Sequence, residues 1–280
     1  FPEGREKAIL VVGGGISGMT AAQEAAKAGY EVILVEKEPS LGGYMARLHR
    51  QFPKHPPYRD MEESSIAVKI QEVQENPNIR VHTSAQIEKI SGAPGMFDVF
   101  LRLDHVEQAV HFRVGSVVLA TGSKPYDAAK LDHLGFGQYP NVITNVMLED
   151  WALKGERARP SDGKEIKSVA FVQCAGSRDE NHLPYCSATC CMTSLKQALY
   201  IREKHPDSKV YIFYKDMRTP GPYENFYQRA QEDLGIFLTK GDVVDIQENE
   251  AKDLIVEVDN TFLGEKIRVK VDIVTLAVGM

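Results

Sequence analysis

The sequence predicts an α/β protein made of two successive parallel-sheet units. Three observations carry that reading. An apolar run at residues 8–12 (AILVV) is followed by a glycine-rich turn, an alanine-rich stretch and a second apolar run at residues 31–36 (EVILVE). From Lys167 the same alternation restarts. A late strand-like run in each half then reads alike: SVVLATG at residues 116–122 and DIVTLAVGM at residues 272–280. Strands alternating with helices in this way fold as a parallel sheet covered by helices, and the echo between halves suggests duplication.

Taken in order, residues 8–12 form a short continuous apolar run, as expected of a strand buried on both faces. Gly13-Gly14-Gly15-Ile16-Ser17-Gly18 comes next and matches G-x-G-x-x-G. A helix runs on to Ala28 with Gly29 as its stop, and the second strand closes on Glu36. This is the full context of a dinucleotide site rather than a lone glycine pattern. Gly13 makes the tight turn, Gly15 lets backbone approach a pyrophosphate, and Gly18 lets helix and strand pack closely. The helix N-terminus, at Ser17, offers N–H groups and a positive dipole end to phosphates, and Glu36 is placed for ribose hydroxyls, with Lys37 beside it. An ordinary glycine turn is the bland alternative.

The glycines serve NAD and FAD alike. Gly42-Gly43, after Glu36 and five further residues, resembles the extension found in flavoproteins with two dinucleotide domains. The segment ending Ala120-Thr121-Gly122 resembles the strand that returns beneath the flavin in the same proteins. Both favour FAD, against a surface turn and a plain buried strand as the bland readings; Val81 completes the expected cofactor set. These residues define a first domain over residues 1–122.

Residues 123–165, with Pro125, Pro140 and Pro160 among many polar residues, read as a long connection. The second domain, residues 166–280, is expected to hold strands at 168–172, 209–214 and 236–239, helices at 189–203 and 223–233, and the final run at 272–280. The slot after its first strand reads Gln173-Cys174-Ala175-Gly176-Ser177-Arg178. The glycines that allow pyrophosphate approach are missing, and a cysteine stands among their replacements.

All four cysteines of the 280-residue chain fall here: Cys174, eleven residues, Cys186, three residues, then Cys190-Cys191. Four such thiols suit a [4Fe–4S] cluster, a structural zinc site, a redox dithiol or four inert buried groups. Zinc favours spaced pairs, whereas a cubane has four separate iron corners that adjacent cysteines reach one each. Cys190 and Cys191 also fall near a helix start, where the dipole is expected to lower thiol pKa.

The stretch "QCAGSRDE…PYCSATCCM…LKQAL" followed by "YIFYKDMRTPG" resembles the A-type flavin component of heterodisulfide reductase. Within that group it is most similar to the A- and B-type flavin components of the quinone-interacting membrane-bound oxidoreductase. The similarity covers nearly the whole chain. It implies a thioredoxin-reductase-like flavoprotein whose second dinucleotide fold has become an iron–sulfur site, with Cys174, Cys186, Cys190 and Cys191 as ligands of a [4Fe–4S] cluster beside FAD. It also implies that Lys196 approaches the flavin ring, with Arg218 serving the same electrostatic purpose; a solvated helix lysine is the bland alternative for Lys196. The implied function is electron transfer within a complex of iron–sulfur and flavin subunits, with a quinone-reactive membrane module as a further partner. The rival function is a stand-alone FAD-dependent pyridine nucleotide-disulfide oxidoreductase, which needs a second glycine motif and a spaced cysteine pair. A scaffold that has kept only the fold is a third. The chain departs from the family in lacking further cysteines for extra clusters and the C-terminal flavin segment expected after LAVGM.

Composition narrows the rest. Apolar residues make up 43% and charged residues 26%, as in globular proteins. The net charge of −6, without a Lys/Arg block, argues against nucleic acid and anionic membrane surfaces. No apolar stretch approaches the about 18–20 residues needed to span a bilayer, and sparse clustered cysteine fits a reducing cytoplasm, with any membrane association made through partners. The eight histidines (His49, His55, His82, His105, His111, His133, His182, His205) show no ligand spacing and read as surface or packing residues. The proline-led loop at residues 55–65 is expected to line the flavin or a partner. The chain opens on Phe1 and stops just after a strand-like run, as a piece of a longer protein would.

Overall fold

The structure, a computed structural model, describes residues 6–104, 106–156 and 158–280, so His105 lies outside the described residues. It separates into two compact units, one taking the chain up to Leu48 and then Ser64–Ser123, the other taking His49–Glu63 and Lys124–Met280.

The first unit holds β1 (Ile9–Val12), α1 (Ile16–Lys27), β2 (Val32–Val35), α2 (Ile66–Glu75) and β3 (Ile79–His82), then β4 (Ala85–Ala93), β5 (Met96–Leu103), β6 (Val106–Val114) and β7 (Ser116–Leu119). Its parallel sheet has the order β3-β2-β1-β7, with Ile9 opposite both Val32 and Ser116. One face is covered by α1, which buries Gly18, Met19, Ala22 and Ala26, one stripe of the helix. The helix ends where Ala28 caps it and Gly29 takes φ +87°, a conformation glycine enters without strain. The other face, through Leu10, Ile33 and Val35, packs on Val99, Leu101 and Val114 of the antiparallel meander β4-β5-β6. β7 is an edge strand, and Leu119 at its end is 74% exposed, so this strand is not the plain buried one.

The second unit holds β8 (Val142–Thr144), α3 (Asn145–Lys154), β9 (Ser168–Ala175), α4 (Cys190–Lys204), β10 (Lys209–Tyr214), α5 (Glu224–Glu232), β11 (Ile236–Glu248), β12 (Leu254–Asn260), β13 (Glu265–Val271) and β14 (Ile273–Val278). They form one sheet of order β13-β12-β11-β10-β9-β14-β8. β10 and β14 flank β9 in parallel, as β2 and β7 flank β1, so the echo between the two late strands is a true repeat of position. β11 is thirteen residues long because it serves two partners: up to Lys240 it runs parallel to β10, and from Gly241 antiparallel to β12.

The segment read as a connection is more than that. It supplies β8, which pairs with β14, and α3, whose cap Thr144 accepts from Met147 N and whose C-terminus closes at Gly155 (φ +72°). Three residues of strand between proline-rich flanks leave no periodicity to read. Arg159, from the same segment, is buried and bonds Asp162, Asp253 (2.7 Å), Asp272 (3.0 Å) and the carbonyl of Ala251 (2.9 Å), tying the segment to the strand ends.

Candidate functional site

In the first unit the glycine turn lies at the C-terminal end of β1. Gly13 has φ +109°, and a Cβ there would stand 2.2 Å from the carbonyl oxygen of Ala120. A Cβ on Gly18 would stand 1.8 Å from the carbonyl oxygen of Gly13. Both glycines are therefore required by the protein's own packing. Gly15 differs: a Cβ there would meet nothing within 4 Å, so its bare backbone faces open space. Gly42 N donates to Gly14 O (2.8 Å), and a Cβ on Gly43 would stand 3.0 Å from Gly15 Cα, which brings the second glycine pair against the first turn. Ser17 and Lys37 are exposed, the latter 3.6 Å from Glu38. Glu36 is buried; its carboxylate accepts from Gly14 N (2.6 Å) and Glu38 N (2.9 Å), so it braces the turn. Ala120 N donates to Val12 O (2.8 Å), Thr121 is exposed, and Gly122 (φ +70°) faces open space. Val81 sits two strands away on β3, paired with Leu34. An open cradle of bare backbone at the strand–helix junction fits a pyrophosphate.

In the second unit the cysteines gather at the C-terminal ends of three adjacent parallel strands. Cys174 is the penultimate residue of β9, Cys186 lies on the loop over residues 176–189, and Cys190 and Cys191 open α4. Cys190 Sγ points to Val278 O at the end of β14 (3.6 Å), and Cys191 Sγ to Asp216 O just past β10 (3.7 Å). Ala188 N donates to Cys186 Sγ (3.4 Å). The backbone is strained here: Cys174, Arg178 and Ala188 all have φ near +57° to +59°, a region that costs non-glycine residues free energy and collects at functional sites. Gly176 (φ +77°) closes against the ring of Tyr126.

The thiol chemistry corrects one expectation. Burial pushes the Cys190 thiol up to about 12, with the charges of Cys191, Cys174 and Cys186 adding to the rise. Burial likewise raises Cys191 and Cys174; the Arg218 backbone N–H opposes it at Cys191, and the Arg178 guanidinium opposes it at Cys174. Desolvation and mutual repulsion outweigh the helix dipole, so these are protonated thiols, and two donate to carbonyls. Four thiols at one corner of a sheet, with Cys174, Cys190 and Cys191 held up by burial, suit a group that supplies positive charge. Among the described residues no three His, Cys, Asp or Glu side chains already form a cage for a single metal ion. The thiols are neighbours rather than a preformed tetrahedron.

Lys196 is not the solvated helix lysine. It is 1% exposed, 2.9 Å from Glu149 Oε1 and 2.9 Å from Arg50 O, with its ammonium over the rings of Phe52 and Tyr200. Glu149 also accepts from Gln197 Nε2 (3.0 Å) and His49 N (3.1 Å). Sequence reasoning singled out Lys196 in the LKQAL stretch but missed the polar knot, since its partners Glu149, Arg50 and His49 stand in no motif. Arg218 is exposed and stands by the cysteines through its backbone N–H. The loop at residues 55–65 docks on α5, where Asn225 Nδ2 donates to Pro57 O (3.0 Å) and Arg59 pairs with Glu232. The described histidines are dispersed: His111 pairs with Asp98, His55 with Glu62, His182 with Tyr126.

The profile of the FAD dependent oxidoreductase family matches residues 8–149, half of the chain and the whole glycine cradle. The chain belongs to the FAD-dependent oxidoreductases. Within the first unit, then, the open turn at Gly15 is a flavoprotein's. Among curated relatives of this FAD-dependent oxidoreductase is the second of the A-type iron–sulfur subunits of CoB–CoM heterodisulfide reductase in Methanopyrus kandleri, 33% identical over 97% of this chain and 53% of that protein. The corresponding A-type iron–sulfur protein of Methanocaldococcus jannaschii is 32% identical over 98% of this chain and 54% of its own length. The chain thus spans about half the length of the curated relatives it matches. Among solved structures, thioredoxin reductase of Lactococcus lactis superposes with a TM-score of 0.62 at 17% identity, covering 98% of this chain and 78% of that one. Bacillithiol disulfide reductase of Bacillus cereus gives 0.55 at 16%, with the same coverage. The fold is thioredoxin-reductase-like. No described helix is long and apolar enough to cross a membrane.

Proposed function

We propose that this oxidoreductase is an electron-transfer subunit carrying FAD and one [4Fe–4S] cluster, within a complex like that of heterodisulfide reductase. The observation that carries the reading is the meeting of Cys174, Cys186, Cys190 and Cys191 at the ends of β9, β10 and β14, the position a second dinucleotide would take. FAD in the glycine cradle would supply electron-pair exchange and a cluster at the four cysteines single-electron exchange, so the two together would convert one traffic into the other.

The residues divide the work. The bare backbone at Gly15, the first turn at Ser17 and the packing glycines Gly13 and Gly18 receive the pyrophosphate, while Gly42 and Gly43 hold the turn in place. Glu36 takes the ribose hydroxyls with lone pairs left by Gly14 and Glu38, and Lys37, Val81 and the end of β7 at Ala120, Thr121 and Gly122 complete the flavin's surroundings. Cys174, Cys186, Cys190 and Cys191 would hold the cluster, which would supply one-electron transfer. The Arg218 backbone N–H and the Arg178 guanidinium offset the negative charge such a group brings. Lys196, held by Glu149, and Arg218 are the cations proposed to tune the flavin. The partners are other iron–sulfur and flavin subunits, together with a quinone-interacting membrane module, and the location is the cytoplasmic side. Residues 1–122, less residues 49–63, act as the flavin domain, and residues 166–280 as the cluster domain, with residues 49–63 and 124–165 folded alongside.

The test is anaerobic purification followed by paramagnetic resonance of the reduced protein and assay of iron, sulfide and flavin. Four irons per chain and an iron–sulfur signal are expected, with Cys190→Ser or Cys191→Ser losing the signal but keeping flavin. One zinc per chain and no signal would sink the proposal.

A further inference from the structure

Of the four cysteines, Cys186 is the one that no helix or strand holds. Cys174 belongs to β9, and Cys190 and Cys191 to the first turn of α4. Cys186 lies half-buried on the loop over residues 176–189, beside Tyr185, which is 53% exposed. That loop bonds to itself from Arg178 N to Tyr185 O (3.0 Å), Leu183 N to Gly176 O (3.0 Å) and His182 N to Asp179 O (3.1 Å). These bonds give it a shape without fixing its place on the sheet. Tyr126, from the segment ahead of β8, supplies the place. Its N–H donates to Gly279 O at the end of β14 (2.8 Å), the strand whose Val278 O faces Cys190 Sγ (3.6 Å). Its ring fills the space beside Gly176, where a Cβ would stand 2.5 Å from Tyr126 Cδ1. Its hydroxyl is hydrogen-bonded to His182 Nδ1 (2.6 Å), with the two rings edge-on at 5.7 Å. Ser187, next to Cys186, accepts from Met280 N (2.9 Å) on the same strand end. A further tie, from Arg178 to Asp216 (2.9 Å), is a solvent-exposed ion pair, and such pairs hold weakly.

We propose that Tyr126 and His182 latch the cysteine loop to the end of β14, and that this latch keeps an iron at Cys186. Its second half alone rests on the cluster reading given above. Groups that orient a metal ligand from behind govern how firmly the metal is held. The three sulfurs set by β9 and α4 keep their places when the loop lifts, whereas Cys186 leaves with it. The corner at Cys186 is therefore the first to lose its iron. Tyr126 and His182 are positioning residues for that corner.

The experiment uses the full chain, made without oxygen, as wild type and as three variants. Tyr126→Phe keeps the ring against Gly176 but removes the hydroxyl, and His182→Leu removes its partner. His182→Asn restores a polar group where Nδ1 stood, so it is the conservative rescue. On iron-free protein, hydrogen exchange at the amides of residues 176–189 should quicken about fivefold or more in Tyr126→Phe and His182→Leu, as loss of one hydrogen bond allows. In His182→Asn it should stay at the wild-type rate. On iron-loaded protein, a chelator should take one iron per chain about tenfold faster or more from Tyr126→Phe and His182→Leu than from wild type. The other irons and the flavin per chain should be unchanged. Exchange unaltered in Tyr126→Phe, or as fast in His182→Asn as in His182→Leu, would overturn the latch. All irons leaving Tyr126→Phe together at one rate would overturn its link to Cys186. Wild type without iron would sink the cluster reading and that link with it, while the exchange rates still decide the latch.

Discussion

Two glycines of one turn should fail in opposite ways. At Gly13 an alanine meets the carbonyl of Ala120 and must adopt φ +109°, so Gly13→Ala is expected to lower the melting temperature and lose flavin together. At Gly15 the protein offers no obstacle, so Gly15→Val should leave the melting temperature within a few degrees while flavin absorbance per chain drops by more than half. Equal loss of both properties in the two variants would refute the assignment of that open space to the cofactor. The cysteines carry a second expectation at this scale. With Cys190 held protonated to about 12 against an ordinary 9.0, folded protein freed of iron binds more protons than unfolded protein between those values. Its stability is therefore whole below pH 9 and declines as pH rises toward 12, by on the order of 1 kcal/mol per pH unit for each such group. Melting curves from pH 7 to 11 should show the decline, and Cys190→Ala should flatten it.

At the scale of elements, α4 is the piece the rest is arranged around: α3, α5, β9, β10 and β14 all pack on it. That enclosure explains why a lysine in the middle of it is buried and why a glutamate on α3 comes to meet it. Breaking one partner of a buried ion pair strands the other charge, at a cost of about 3–5 kcal/mol. Lys196→Met should therefore lose that much in denaturant unfolding, and Lys196→Met with Glu149→Leu should recover a good part of it. A double variant no more stable than the single would mean that Glu149 is satisfied by Gln197 and His49 alone. This knot also marks the limit of what the sequence discloses. The run from Ile9 to Val35 was legible because strand, turn and helix each leave a local periodicity, and the four cysteines because their spacing is unusual. Lys196 and Glu149 lie 47 positions apart and leave no local trace. β8 is too short to show a period, and the meander β4-β5-β6 reads as ordinary alternation with no sign of which sheet it covers. The direction of the thiol shifts depended on burial, which the sequence shows only once folded.

For the molecule as a whole, the two units share the pair of strands flanking β1 and β9 and part at the turn that follows each. Where β1 passes to α1 through a bare glycine turn, β9 passes to α4 through residues 176–189, a loop that bonds to itself from Gly176 to Leu183 and from Arg178 to Tyr185. The glycines of a pyrophosphate seat are missing from that slot, so NADH or NADPH added to the anaerobic protein should leave the flavin bands unbleached over minutes; rapid stoichiometric bleaching would show that a seat persists. The topology also sets the order in which the second sheet is assembled. β14 lies between β9 and β8, and β8 reaches the sheet only through it. On a ribosome β8 emerges long before β14 does, so β8 and its side of the sheet wait, unpaired, while the intervening strands are made. Codon choice and chaperone access over that interval then govern yield: any pause before β14 leaves β9 with one bare edge, open to pairing with another nascent chain.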